Sequence, residues 1–257
     1  MNAIVVLTRG YNTVHEYNKL IRRNKEIEKY FTTLTKNIPD FVLFHEGNIS
    51  IEHEKHIQKQ TPCIKLIFVN VSKSFQKKKY DFYPPTEGFT IGYRNMCNFW
   101  FCDFWKYTNQ YEKIVRIDED CFMKSSPMDI LDKLDEYSVV YGYNSKDSER
   151  VTKGLNDFTL TFLQERNVDA KKESPSGPYT NVFGLNLSIL RSNSILEEYR
   201  ERVFQSNNIF IYRWGDLPLW GEVIKYMLES NQSLLYSSIS YYHESHKIHI
   251  AEGDLIP

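Results

Sequence analysis

The sequence has little that would tie the protein to an oxidising compartment or to a polyanion. Its 257 residues include only four cysteines, none in a CxxC pair, so neither a disulfide framework nor a cysteine-based zinc site is indicated. We expect all four to be reduced and buried. The 32 basic and 33 acidic residues leave a net charge of -1. The chain thus has no excess of positive charge that would attract nucleic acid, and no nucleic-acid partner is expected.

Long apolar runs are also missing. The N-terminal segment MNAIVVLTRG has no basic flank before a long apolar stretch, because Arg9 interrupts it. Neither a signal peptide nor a membrane segment is therefore predicted. We expect a soluble, cytoplasmic protein, or one in the Golgi lumen only if an anchor has been removed. No pattern in the sequence specifies an oligomeric state.

The patterns that are present indicate one α/β domain, which suits the length of the chain. Strands are predicted over residues 3–7, 41–44 and 64–69, and an amphipathic helix over residues 15–36. A charged, His-rich segment, residues 52–60, is predicted to separate the second and third strands. This order is typical of nucleotide-binding sheets.

Later segments have patterns of their own. Residues 93–107 carry the densest run of aromatic side chains and are predicted to form a buried helix. Residues 144–178 are charged and contain several Gly and Pro residues. This composition predicts a flap that covers an active site rather than a linker between domains. Ser194 and Glu197 have capping-box spacing. A further helix is predicted to begin at Asp216.

Asp118, Glu119 and Asp120 follow a strand predicted over residues 113–117. Because side chains alternate along a strand, we expect Asp118 and Asp120 to point the same way and to bind one Mn²⁺ or Mg²⁺. Such a cation would neutralise charge on a diphosphate. An acidic turn of this kind is about as common without a metal as with one. The position of this turn after a nucleotide-binding pattern favours the metal site.

Other candidates lie at loops and helix starts. Thr8, Arg9, Gly10 and Tyr11 follow the first strand, at the edge where α/β sheets bind ligands, and predict a nucleotide site. Arg94 begins the aromatic helix, where it either binds phosphate or forms a surface salt bridge.

Arg213, Trp214, Gly215 and Asp216 form a compact cluster of a cation, an aromatic ring, a turn former and a carboxylate. Asp216 either caps the helix that follows or binds acceptor hydroxyls while Trp214 faces a sugar ring. We favour the acceptor site because of the resemblance described next.

Five segments appear in one order, Tyr93–Trp100, Arg116–Asp120, Asn181–Ser192, Tyr212–Pro218 and Ile239–His243. Over roughly residues 90–245 the chain thereby resembles the fungal Golgi α-1,2-mannosyltransferases, glycosyltransferase family 15. The segment YRWGDLP is the most specific element. The resemblance implies a GT-A fold, a GDP-mannose donor, Mn²⁺ and retention of the anomeric configuration.

The resemblance also implies metal ligands. Either Asp118 or Asp120 corresponds to the family's acidic ligand, although the family has Glu-Pro-Asp where this chain has Asp-Glu-Asp. His243 matches a histidine that binds the metal in the family.

The family's catalytic glutamate has no counterpart here. Where the family has Asn-Phe-Glu, this chain has Asn181, Val182 and Phe183. The remaining polar candidates for stabilising the reacting centre are Asp216, Asn181 and Asn186.

We therefore expect one GT-A domain over residues 1–257, a single Rossmann-like α/β fold with a mixed central sheet. Its nucleotide-binding part would cover about residues 1–125 and its acceptor-binding part about residues 126–257. The leading hypothesis is a metal-dependent retaining transferase that moves a hexose, first mannose from GDP-mannose, to a glycan or glycoprotein hydroxyl. The alternative, favoured by Phe183, is a non-catalytic carbohydrate- or nucleotide-sugar-binding protein.

Overall fold

The computed structural model describes residues 1–31, 38–75, 78–173 and 176–251. In chain order, the helices and strands are β1 (Asn2–Thr8), α1 (Asn18–Glu28), β2 (Asp40–His45), α2 (Ile51–Gln60), β3 (Leu66–Asn70), α3 (Ile91–Asn98), β4 (Lys113–Ile117), β5 (Cys121–Met123), α4 (Pro127–Lys133), β6 (Val139–Tyr141), β7 (Asn144–Ser145), α5 (Leu155–Gln164), β8 (Gly177–Pro178), β9 (Val182–Asn186), α6 (Leu187–Arg191), α7 (Ser194–Ser206), α8 (Asn208–Tyr212), α9 (Asp216–Tyr226), β10 (Ser233–Leu235), β11 (Tyr241–His243) and β12 (Ile248–Ile250).

The central sheet has seven strands in the order β10-β6-β9-β4-β1-β2-β3. Strand β1 pairs in parallel with β2 and β4, and β2 with β3, whereas β9 runs antiparallel between β4 and β6. The prediction of a mixed α/β sheet is therefore confirmed. Because β1 and β4 are parallel, the loop after Thr8 and the acidic turn after Ile117 lie at the same edge.

Both faces of the sheet are covered. Ala3 and Val5 share one core with the aromatic segment after α3 and with residues of α5, α7 and α9. Ile4 and Val6 share the other core with residues of α1, α2 and α4. Burial on both faces explains why β1 reads as a continuous apolar run rather than an alternating one.

A small antiparallel sheet, β12-β11-β5, lies beside the acidic turn. In this sheet His243 of β11 is paired with Cys121, the residue that follows Asp120. The pairing brings the C-terminal part of the chain to the end of β4.

Several predicted elements differ from those observed. Helix α1 ends at Glu28, short of the predicted end at Lys36, and residues 32–37 lie outside the described residues. Residues 52–60 belong to α2, in which Ile57 is the buried residue, so the charged residues concealed a helix with a narrow apolar stripe.

Two further boundaries follow from local hydrogen bonding. The aromatic helix ends as an α-helix at Asn98 and continues as a π-helical stretch, Phe99–Asp103. Asn193 caps α7, because its side chain accepts from the Leu196 N–H. Ser194 is therefore the first helical residue rather than the cap.

The four cysteines are free thiols, but Cys63 is exposed while the other three are buried. The prediction that all four are buried is wrong for Cys63. Of the helices among the described residues, none is both long enough and apolar enough to span a bilayer.

Candidate functional site

Five of the predicted site residues line one cavity of about 500 Å³. Asp118 and Asp120 lie in the turn after β4, Asn181 precedes β9, Asp216 begins α9 and His243 ends β11. Parts of the chain that are distant in sequence thus meet at the carboxyl edge of β4, where open α/β sheets bind their ligands.

Arg116, which no sequence pattern singled out, joins two of these carboxylates. Its Nε and Nη2 donate to the two carboxylate oxygens of Asp118 at 2.7 and 2.9 Å, and its Nη1 donates to Asp216 Oδ2 at 2.5 Å. Burial lowers the pKa of Arg116, but Asp118 and Asp216 raise it above its ordinary value. The guanidinium therefore stays charged and ties the acidic turn to the first turn of α9.

Asp216 is the first residue of α9, and Gly215 holds the N-cap position. The carboxylate of Asp216 pairs with Arg116 instead of capping the helix. Of the two interpretations of this residue, the helix cap is wrong, and its carboxylate lies in the cavity.

Asp120 and His243 form a second pair at this cavity. His243 Nε2 lies 3.4 Å from Asp120 Oδ2. Burial raises the pKa of Asp120, but the hydrogen bond and charge of His243 outweigh it and bring that pKa below its ordinary value. A carboxylate beside an imidazole is a donor set that fits Mn²⁺.

Cys121 also has its sulfur near these two groups, since the three ligand atoms lie within 4.8 Å of one another. The thiol is fully buried, and burial raises its pKa well above the ordinary value. It is not among the residues that line the cavity. Cys121 is therefore a poor ligand for a hard cation compared with Asp120 and His243.

Asn181 supports both parts of the candidate metal site. Its Nδ2 lies 2.9 Å from His243 Nδ1, and its Oδ1 accepts from the Tyr241 hydroxyl at 2.8 Å. Its backbone carbonyl accepts from the Asp118 N–H at 2.8 Å. An outer hydrogen bond of this kind holds the ring orientation of a metal-binding histidine.

Glu119 connects the acidic turn to the loop after β1. Thr8 Oγ1 donates to one Glu119 oxygen at 2.8 Å, and the Tyr11 hydroxyl donates to the other at 2.6 Å. The predicted nucleotide loop and the predicted metal turn are therefore in direct contact, through the middle residue of the acidic triplet. Strand alternation by itself assigns no role to that residue.

Gly10 has a packing role in the loop after β1. A Cβ on Gly10 would lie 2.1 Å from the Asn48 carbonyl oxygen, so only glycine allows this approach. The guanidinium of Arg9 lies 5.0 Å from the ring centroid of Tyr11. Residues 8–11 are not among those that line the cavity, and neither is Glu119.

Arg213 lines the cavity as well. It donates through Nη1 to Asp147 Oδ2 at 2.8 Å and through Nη2 to the Tyr93 hydroxyl. Its Nε is buried and has no hydrogen-bond partner among the described residues. Its φ of 65° costs a residue other than glycine on the order of 1–3 kcal/mol. Backbone strain of this kind occurs preferentially at functional sites.

Arg94 does not belong to this site. It is fully buried and donates to the carbonyl oxygens of Phe210, Thr86 and Phe89 at 2.8, 2.5 and 3.2 Å. Its guanidinium therefore joins the segment before α3 to α8. Neither interpretation from sequence, a phosphate ligand or a surface salt bridge, agrees with this position.

Trp214 and Asn186 also lie elsewhere. Trp214 is 1% exposed, and its Nε1 donates to the Lys153 carbonyl, so it is a core residue rather than a platform for a sugar ring. Asn186 ends β9 and its side chain bonds to the Leu134 carbonyl and the Ile189 N–H. Five residue steps along the strand, roughly 16 Å, separate it from Asn181, so Asn186 does not belong to the candidate site.

The fold is similar to that of solved glycosyltransferases. Core-mannan synthase A (CmsA/Ktr4) from Aspergillus fumigatus, in an Mn/GDP form, has a TM-score of 0.77 and 16% sequence identity, with 94% of this chain and 74% of that chain covered. The mannosyltransferase Ktr4p from S. cerevisiae has a TM-score of 0.77 at 14% identity, covering 94% and 70%. The galactosyltransferase LgtC, solved with donor and acceptor sugar analogs, has a TM-score of 0.54 at 14% identity, covering 92% and 73%.

These similarities lie in structure rather than in sequence. No family model and no curated protein sequence matches the chain. The likeness nevertheless agrees with the resemblance inferred from the order of its short motifs. The chain therefore has the GT-A glycosyltransferase fold that is also found in the fungal mannosyltransferases.

Proposed function

We propose that this protein is a metal-dependent, retaining glycosyltransferase that moves a hexose from a nucleotide sugar to a hydroxyl of a glycan or glycoprotein. The observation that carries the proposal is the meeting of Asp118, Asp120, His243 and Asp216 in one cavity of a GT-A fold. GDP-mannose with Mn²⁺ is the first combination to test, because core-mannan synthase A was crystallised in an Mn/GDP form.

Asp120 and His243 are the residues that would hold Mn²⁺ or Mg²⁺. Both oxygens of Asp118 already accept from Arg116, so Asp118 has only its remaining lone pairs to offer. A bound cation would stabilise the negative charge of a leaving diphosphate. The proposed nucleotide-binding part, about residues 1–125, contributes the loop 8–11 beside the acidic turn.

Two residues of the second half would then contact the substrates. Asp216 is buried and lines the cavity, and its free lone pairs can accept a hydrogen bond from an acceptor hydroxyl. Arg213 lines the same cavity, and its guanidinium charge would stabilise a negatively charged substrate oxygen. Asn181 holds His243 in place and is therefore a positioning residue in this proposal.

The absence of a carboxylate at position 183 favours a front-face reaction. Phe183 is 2% exposed and its ring lies 5.2 Å from that of Trp220, so it offers no nucleophile for a double displacement. In the proposed step the bond from the anomeric carbon to the diphosphate breaks. The acceptor oxygen bonds to the same face, and its proton passes to a phosphate oxygen. Asp216 orients that hydroxyl.

The test is a panel of GDP- and UDP-sugars with mono- and oligosaccharide acceptors, with and without Mn²⁺. We expect Mn²⁺-dependent release of the nucleotide and, by NMR, an α linkage from an α-linked donor. A β-linked product, or a glycosyl adduct trapped on a carboxylate, would contradict the front-face mechanism. Tight binding of a nucleotide sugar with no turnover would instead support the non-catalytic alternative.

A further inference from the structure

A second cavity of about 670 Å³ lies beside the proposed active site, and the mechanism above does not use it. Asp147 lines both cavities, so the two meet at its ion pair with Arg213. Most of its lining comes from the segment 147–173, within the flap predicted over residues 144–178. Both volumes fall in the range of small-molecule sites, about 300–1,000 Å³.

One wall of this second cavity is formed by the buried carboxylate of Glu222. Glu222 is 2% exposed and lines the cavity from α9. Its two oxygens accept from Asn156 Nδ2 at 3.2 and 3.0 Å. The amide of Asn156 therefore holds the Glu222 carboxylate in place at the cavity wall. A carboxylate that keeps free lone pairs is a group that binds hydroxyls.

The charges around the cavity favour a neutral ligand. Its lining has five acidic residues and three basic ones, namely Asp147, Glu149, Asp157, Glu173 and Glu222 with Arg150, Lys153 and Lys172. Three of the acids are ion-paired, Asp147 with Arg213, Asp157 with Lys172 and Glu173 with Lys225. Two acids and two bases remain, so no field of one sign selects an anionic or a cationic molecule. Polar groups of both kinds in a concave site are suited to the many donors and acceptors of a sugar.

Helix α9 links the two cavities. Its first residue, Asp216, lines the proposed active site, and Glu222, six positions later, lines the second cavity. Asp147 lines both cavities, so it marks the place where a ligand held at Asp216 can pass into the second cavity.

We propose that the second cavity binds the sugar ring that precedes the accepting ring, so that the preferred acceptor is a neutral oligosaccharide of at least two rings. This inference rests on the proposed glycosyltransferase function. It assigns Glu222 and Asn156 as residues that determine acceptor length.

The experiment compares methyl hexosides with the matching disaccharides of mannose, glucose and galactose, each free in solution. Parent protein, Glu222→Gln and Lys153→Ala are assayed for kcat/KM with each acceptor, and for GDP and Mn²⁺ binding by calorimetry. Lys153 is exposed, so its variant tests the cavity even if Glu222→Gln fails to fold. Glu229→Gln is the matched control, because Glu229 is exposed and does not line the cavity.

In the parent we expect a disaccharide to exceed its monosaccharide by at least about tenfold in kcat/KM, the value of one hydrogen bond to a charged group. Glu222→Gln and Lys153→Ala should reduce this ratio of disaccharide to monosaccharide kcat/KM and leave GDP and Mn²⁺ binding unchanged. Glu229→Gln should keep the ratio of the parent. A parent that transfers equally well to both lengths, or variants that keep the ratio, would overturn the inference and leave the proposed function standing. A parent that neither binds nor consumes any nucleotide sugar would overturn both.

Discussion

At the residue scale, Arg116 explains why two aspartates from different halves of the chain can lie together in the wall of one cavity. It donates to Asp118 and to Asp216, and all three residues line the cavity. Removing one partner of a buried charge network leaves an uncompensated charge, which is costly. The network therefore keeps the first turn of α9 next to the acidic turn.

Replacing Asp216 with Asn tests its role in orienting the acceptor. We expect turnover with acceptor to fall by about 10²-fold or more, because an oriented charged acceptor of the hydroxyl hydrogen bond is lost. Donor binding, measured as the affinity for GDP with Mn²⁺, should change far less. The exposed Asp135→Asn is the control. Equal losses in donor affinity and turnover would show that Asp216 serves the donor instead.

Glu222 should also make the stability of the protein depend on pH. Burial raises its pKa from the ordinary value of 4.5 to about 7. The folded state then binds more protons than the unfolded state between these values, so the free energy of unfolding falls as pH rises through this window, by about 3 kcal/mol.

Urea denaturation at pH 5 and pH 8 measures this contribution. Between pH 5 and pH 8 the free energy of unfolding should fall more for the parent than for Glu222→Gln, because the neutral amide does not titrate in this range. The exposed Glu229→Gln should behave like the parent. An identical pH dependence of the parent and Glu222→Gln would show that the Glu222 carboxyl does not titrate as proposed.

At the scale of elements, the small sheet of β5 and β11 decides which residues form the metal site. The antiparallel pairing of Cys121 with His243 places the imidazole beside Asp120. Asp118, one step back towards β4, is held instead by Arg116. The two aspartates therefore share a cavity but have different partners.

This difference predicts unequal effects on Mn²⁺ binding in the presence of GDP. Asp120→Asn and His243→Ala should each lower the affinity for Mn²⁺ by roughly 10–100-fold, which is the size of effect expected when a metal ligand or its supporting hydrogen bond is lost. Asp118→Asn should lower the affinity for Mn²⁺ less. It should also destabilise the fold, because Arg116 loses the charge of one of its partners. Titration of Mn²⁺ by calorimetry and urea denaturation provide the two readouts. If Asp118→Asn alone abolished Mn²⁺ binding, Asp118 would be the principal ligand.

At the scale of the whole molecule, the proposed site is assembled from segments that lie far apart in the chain, so ligands that bind it should stabilise the complete fold. At a hundredfold excess over its dissociation constant, a ligand adds about 2.7 kcal/mol to the free energy of unfolding. For a chain of this length we expect GDP with Mn²⁺ to raise Tm by roughly 5–10 °C. Asp120→Asn should lose most of the shift. A shift that is equal without Mn²⁺ would indicate a nucleotide site independent of the metal.

The sequence alone determined much of the local structure. The apolar runs at β1, β2 and β4 and the acidic turn after Ile117 follow from periodicity over a few residues. The order of short motifs led to the GT-A fold, which the structure confirms. These features depend on neighbouring residues, so they can be read without knowing the tertiary contacts.

Only the tertiary structure decided the partner of each polar or aromatic side chain. Arg94 and Arg116 look alike in sequence, yet one donates to backbone carbonyls and the other to Asp216, a hundred positions away. Trp214 lies in the core while Arg213, its neighbour, lines the cavity. The physical reason is that a side chain's orientation depends on the packing of distant segments, which local periodicity does not encode.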